Sequence, residues 1–348
     1  MFLVADIGGT KTELAFYDST TGLGTFTDPI RVASARYPSL EDLLRETLGD
    51  RRRSLQGACL AVPGPVRYGR AHLTNLPWEV DQRRLEEVLG VPTWVMNDVE
   101  AMAHALPYLS ASDFKIVREG QKDPKGAMVI VAVGTGLGEA FLVWGKDGYH
   151  AYPSEGGHVG FAPASPLQRE LLEYLQLQFE HVSVERVCSG MAIPYLYRFF
   201  RAKEAASEDP TPDHLGEQAP DPTAFIVERA IQEPEAYPDC RRAMELFVSI
   251  LGSEAGDFAL KILATGGVYL AGGIPPRILP LLQHETFLRA FEKKGRLSSL
   301  LREIPVYVVV RRSVGLLGAA IAACGYVRTR RIGSASVEGQ HAGGTLQD

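Results

Sequence analysis

Two glycine-rich loops offer the clearest chemistry in this chain. Asp6 stands just ahead of Gly8-Gly9-Thr10, and Gly134-Thr135-Gly136-Leu137-Gly138 forms a second loop of similar composition. Glycine removes side-chain obstruction, so backbone N–H groups can surround phosphate oxygens while Thr10 or Thr135 adds a hydroxyl donor. A lone Gly-Gly-Thr reads first as a tight hairpin; the carboxylate before it and the second loop shift the reading towards phosphate. Neither loop is a Walker A sequence, and GTGLGE fails the dinucleotide fingerprint because no strand-to-helix transition follows it. Gly272-Gly273 in AGGIP makes a third platform, suited to a nucleotide base or sugar. Lys11 has charge to offer a phosphate, in a direction that depends on hairpin register.

The elements that must position these loops follow from apolar periodicity. Residues 1–19 read as a hairpin, and AMVIVAVGTGLGEAFLVW at 127–144 repeats the arrangement of apolar strand, Gly/Thr loop and apolar strand. This internal echo suggests two domains with related cores. Amphipathic helices are expected over 39–50, over 81–90 with Asp81 as N-cap and Gly90 as stop, and over 166–181. Strands are expected at 58–66, 91–96, 266–274 and 304–310, and further helices at 240–263 and 314–327. Asn97 and Asp98 open a helix directly after a strand, where helix N-terminal amides orient a carboxylate. Residues 204–222 read as a solvent-facing connection. Alternating strands and helices give an α/β architecture.

Composition narrows the function classes. With 348 residues the chain has room for two domains. Its 42 acidic and 36 basic residues, net charge -6, give nucleic acid no electrostatic footprint. Cys59, Cys188, Cys240 and Cys324 form no CxxC pair, which argues for a reduced cytoplasmic compartment over a disulfide or zinc scaffold. No apolar run approaches about 20 residues, so membrane insertion is not expected.

Taken together, the motifs closely resemble the bacterial glucokinase family, in the actin-like ATPase and hexokinase group, over about residues 2–324. DIGGTKTELA resembles the first phosphate motif, VAVGTGLGEAFLV the second and GGVYLAGGI the adenosine-side motif; MNDVEA and VGLLGAA resemble the two connecting segments. EGGHVGF and HVSVERVCSG are more discriminating, because they resemble this glucokinase group specifically. The resemblance implies a two-domain actin-like ATPase (ribonuclease H-like) fold. Its smaller domain is expected at 1–110 and its larger at 111–324, with the final helix a candidate to pack back on the first and a flexible tail at 325–348.

The implied activity is ATP-dependent phosphorylation of D-glucose at the 6-hydroxyl. Asn75, Asn97, Asp98, Glu155, His158 and Glu185 match the family's hexose-contacting positions, and the resemblance assigns Asp98 as the base. Asp6 is expected to hold Mg²⁺, directly or through water. Gly8, Gly9, Thr10, Lys11, Gly134, Thr135, Gly136, Gly138, Gly272 and Gly273 are expected along the nucleotide and its phosphates. His158 reads as a hydroxyl partner in preference to a zinc ligand, since the thiolate cluster of the related repressor-kinase group is missing. Glu185 otherwise reads as a helix cap or an Arg186 partner. Glu100 and Glu139 read as supporting or surface carboxylates. Lys11-Thr12 departs from the asparagine and small residue found in many group members. A homodimer is expected from the family; a related hexose or amino-sugar kinase and a noncatalytic sugar sensor are the competing readings.

Overall fold

A computed structural model describes residues 1–22, 24–73, 76–205 and 219–341. The chain divides into two compact units, Met1–Leu109 with Arg312–Asp348, and Ser110–Arg311.

The first unit is built on a five-stranded sheet of order β3-β2-β1-β4-β7. Its strands are β1 (Phe2–Ile7), β2 (Lys11–Tyr17), β3 (Phe26–Ala33), β4 (Gly57–Val62) and β7 (Thr93–Asn97), with β5 (Arg70–His72) and β6 (Glu79–Asp81) forming a separate ribbon. The expected hairpin is β1 antiparallel to β2, while β4 and β7 join in parallel. Both faces of β1 are covered. Leu3, Ala5 and Ile7 enter one core with Leu40, Leu43, Leu44, Trp78 and Leu85, while Phe2 and Val4 enter another with Leu316, Ala319 and Ala323. A strand apolar at every position except its last carboxylate is what such double burial requires.

Asp81 caps the Gln82–Leu89 helix by accepting from the Arg83 N–H, and Gly90 ends it in the left-handed region at φ 70°, as its sequence signals suggest. Strand β3 escapes the sequence reading because Pro29 interrupts it and its side chains are largely exposed; it lies at the sheet edge, where proline costs no ladder bond.

The second unit carries a six-stranded sheet of order β11-β10-β9-β12-β13-β8. These are β8 (Phe114–Arg118), β9 (Met128–Val133), β10 (Leu137–Gly145), β11 (Gly148–Ser154), β12 (Gly267–Ala271) and β13 (Val306–Val309). The echo read in the sequence is visible here. In both sheets an antiparallel three-strand meander continues into two parallel strands, β3-β2-β1-β4-β7 in one and β11-β10-β9-β12-β13 in the other. The Pro238–Ile262 helix fills this unit's core with Met244, Phe247, Leu251 and Phe258.

Three boundaries differ from expectation. The helix starting at Pro166 ends at Gln176 instead of 181. The final helix runs Val314–His341, past the expected end at 327, and residues 342–348 lie outside the described residues. It also belongs to the first unit, so the second ends at Arg311 and not at 324. The physical reason is its small-residue face: Gly318 approaches the Asp98–Ala105 helix so closely that a Cβ there would lie 1.6 Å from the Ala101 carbonyl oxygen. Residues 206–218, the middle of the expected connection, lie outside the described residues. None of the four cysteines forms a disulfide. Among the described residues no helix is long and apolar enough to cross a membrane.

Candidate functional site

In the first unit the Gly8-Gly9-Thr10 turn joins β1 to β2. The Gly8 N–H donates to the Lys11 carbonyl (2.9 Å) and so closes the turn. Ser34 fastens it from outside: its N–H donates to the Thr10 carbonyl (3.1 Å), its Oγ donates to the Gly8 carbonyl (2.7 Å), and it shares a hydrogen bond with Thr12 Oγ1 (3.0 Å). The Gly8 amide is therefore committed internally, which leaves Gly9 and the exposed Thr10 as the donors able to meet an anion. Thr12 and Ser34 were not singled out as candidates; their burial as a hydroxyl pair depends on a contact remote in sequence.

Asp6 lies opposite Glu13 in the antiparallel register. Burial, then the Glu13 charge, raises the Asp6 pKa to about 6 against the opposing effect of Lys11. Lys11 points to the Glu13 side of the hairpin, with Nζ 3.1 Å from the carboxylate, and Arg31 joins at 2.7 Å. The Asp6 carboxyl also faces the start of the final helix, where a Cβ on Gly315 would lie 3.3 Å from Oδ2. A carboxylate held at this cost is suited to a cation.

Asn97 ends β7 and caps the helix that Asp98 begins. Its Oδ1 accepts from the Val99 and Glu100 N–H groups (2.9 and 3.0 Å), and Nδ2 donates to the Gly64 carbonyl (3.1 Å). Glu100 closes the capping box onto the Asn97 N–H. Asp98, half-buried, accepts from the Val99 N–H (2.9 Å), so its carboxylate sits at a helix N-terminus where the dipole favours negative charge. Of the two readings for Glu100, the supporting one fits: burial raises its pKa to about 7, opposed by its bond from Asn97. Asn75 lies outside the described residues.

In the second unit the structure brings four motifs together. The Gly134–Gly138 segment turns between β9 and β10, with the Gly134 N–H donating to the Gly136 carbonyl (3.0 Å). The Gly190 and Met191 N–H groups donate to the carbonyls of Gly134 (2.8 Å) and Thr135 (3.1 Å). The Gly272-Gly273 turn wraps the end of the same strand: Gly272 has φ +90°, a Cβ on it would lie 2.4 Å from the Val133 carbonyl oxygen, and the Ile274 N–H donates to that oxygen (3.1 Å). Gly273 faces open space.

Glu185 ties the sugar-side motif to the glycine loop. Its Oε2 accepts from the Leu137 N–H (2.9 Å), and its own N–H donates to the Gly157 carbonyl (2.9 Å). It does not pair with Arg186, whose guanidinium lies 4.4 Å from the Phe179 ring centroid. Glu155 and His158 flank Gly156-Gly157, with carboxylate and imidazole 3.8 Å apart and both exposed. Burial raises the Glu155 pKa, offset in part by His158, and Glu185 adds to the rise. Carboxylates and an imidazole clustered on a turn suit vicinal hydroxyls, which need directional donors and acceptors.

Glu139, one residue past the glycine loop, is buried, which excludes the surface alternative and leaves the supporting one; Glu254 is its buried neighbour. Glu139 is the one carboxylate of its strand, whereas Glu254 shares its helix with Asp239, Glu245 and Asp257 and carried no such signal.

A profile of the glucokinase family matches residues 3–325. The glucokinase of Nostoc punctiforme is 37% identical over 338 residues, 93% of this chain and 98% of that protein. Among solved structures, a glucokinase from an Antarctic psychrotroph is similar at TM-score 0.77 and 32% identity, covering 93% of this chain and 98% of the other. A Balamuthia mandrillaris glucokinase in complex with glucose shares the fold at TM-score 0.75 and 24% identity, over 92% and 93% of the two chains.

Proposed function

This chain belongs to the glucokinase family, with its actin-like α/β fold and sugar-kinase phosphotransferase activity, and we propose that it transfers the terminal phosphoryl group of ATP to the 6-hydroxyl of D-glucose. The products are glucose 6-phosphate and ADP. The observation that carries this reading is the near full-length likeness to glucokinases in a chain whose Asp98 heads a firmly capped helix.

In the proposed mechanism the sugar hydroxyl attacks the terminal phosphorus directly, without a phosphoenzyme, and Asp98 accepts its proton as charge develops on the attacking oxygen. Asn97 holds the helix start that carries Asp98, and Asn75 is proposed as a further sugar contact. Glu155, His158 and Glu185 bind and orient the hydroxyls. Gly9, Thr10, Thr135 and Gly136 supply phosphate donors, and Gly272-Gly273 flanks the adenosine. Lys11, held beside the loop by its ion pair with Glu13, is proposed to lend positive charge to the phosphates.

Asp6 is the residue proposed to hold Mg²⁺. A single shielded carboxylate fits that ion, because Mg²⁺ takes one or two carboxylates and completes its shell with phosphates and water; among the described residues no cluster of three or more metal-ligating side chains competes. When bound, the ion lowers repulsion among the phosphate oxygens. A cytoplasmic homodimer is the assembly carried over from the family.

The test is a product-resolved assay of the purified chain with magnesium, supplying ATP, ADP or polyphosphate in turn against a hexose panel. Glucose 6-phosphate formed with ATP in preference to the other pairs is expected. Preference for another hexose or an amino sugar would overturn glucose as substrate, and sugar binding without phosphate transfer would overturn the enzyme reading.

A further inference from the structure

We propose that Glu139 is a positioning residue: with Glu254 it forms a hydrogen-bonded carboxylic acid–carboxylate clasp behind Gly156 that holds the Glu155–His158 turn in its sugar-binding shape. The inference rests on the sugar-binding role proposed for that turn.

Glu139 is 2% exposed and Glu254 8% exposed. Oε1 of each is buried without a hydrogen-bond partner among the described residues, and the two acids act on one another electrostatically. Two carboxylates cannot bond unless one keeps a proton, so the clasp is a one-proton device. Its other side is the turn itself. A Cβ on Gly156 would lie 1.8 Å from Glu139 Oε2, and one on Gly157 would lie 2.3 Å from the Leu137 carbonyl oxygen, so the Gly-Gly backbone rests directly on β10. Ser154, opposite Glu139 in the β10–β11 register, accepts from the Gly156 N–H (3.0 Å).

Loss of the shared proton would place two negative charges in a shielded site. Glu139 Oε2 lies directly against Gly156, so repulsion between the two acids bears on the turn. Other charged or titratable groups near the pair are few. Lys261 Nζ lies 3.7 Å from Glu254 Oε1, Asp257 and its partner Lys294 act on Glu254, and the Cys188 thiol is buried beside both acids. Burial and then Glu254 raise the Glu139 pKa to about 8, with Lys261 opposing. Solvent reaches Glu254 through a cleft of about 330 Å³ lined also by Val159, Phe161 and Asp257.

The sign follows from the raised value. The clasp's contribution to folding is complete below the ordinary glutamate value of 4.5 and is lost as pH rises to about 8. Sugar affinity should weaken above that point, while kcat at saturating sugar changes little.

The experiment compares wild type with Glu139→Gln and Glu254→Gln from pH 5 to 9.5, reading glucose KM, kcat and thermal melting. In the wild type KM should rise by up to about tenfold per pH unit beyond the transition. In either glutamine variant, which keeps a neutral hydrogen-bonding partner, KM should be flat with pH, and the variant should lack the wild type's loss of melting temperature between pH 5 and 8. A rise in KM that persists in both variants, or melting profiles that superimpose on the wild type, would overturn the clasp. If no sugar is turned over, the function reading fails and the melting comparison alone decides the clasp.

Discussion

Asn97 shows how one side chain can make a site rigid before it touches any ligand. Its amide oxygen takes two helix N–H groups and its nitrogen reaches the Gly64 carbonyl, so the helix beginning at Asp98 starts in a fixed place. Asp6 is the opposite case, a shielded carboxylate with Glu13 across the hairpin and Lys11 only partly offsetting the rise in its pKa. For that reason Asp6→Ala should lower Mg-ATP-dependent turnover by about a hundredfold or more while glucose affinity without nucleotide stays within about threefold. Equal turnover at saturating magnesium would remove Asp6 from the metal role. The sequence made Asp6, Asp98, Glu155 and His158 visible because each stands in a recognisable string. It could not show Glu139 and Glu254 as a pair, since that depends on a strand and a helix remote in sequence meeting in one core.

Among the elements, the final helix matters most to the first unit. Leu316, Ala319, Ala320 and Ala323 enter the core against β1 and β4, and Gly318 allows contact with the helix that carries Asp98. Gly318→Val must push those two helices apart. We expect it to cost about 2–4 kcal/mol in denaturant unfolding and to reduce turnover by displacing Asp98. Gly325→Ala, where a Cβ meets nothing within 4 Å, is the control and should be neutral or slightly stabilising. Equal stability of both variants would show that the close approach is not needed. Periodicity revealed this helix as far as 327, and the small residues hinted at close packing. That it packs back on the first unit came from the family resemblance and is what the structure shows; local pattern alone does not encode which sheet face a late element returns to.

At the scale of the whole molecule, the chain builds the same five-strand arrangement twice and sets a glycine loop after the first strand of each. The repetition was readable because a hairpin is local: β1 with β2 and β9 with β10 are each contiguous in sequence. The unit boundary was not, since the first unit takes both ends of the chain and the second is the stretch between them. The proposed chemistry delivers the proton of the sugar hydroxyl to Asp98 as phosphoryl transfer proceeds. The most direct measurement is glucose affinity and single-turnover phosphoryl transfer for wild type and Asp98→Asn under identical magnesium and ATP. The account predicts retained glucose binding with transfer slowed by about a thousandfold; near-wild-type transfer in the variant would contradict it.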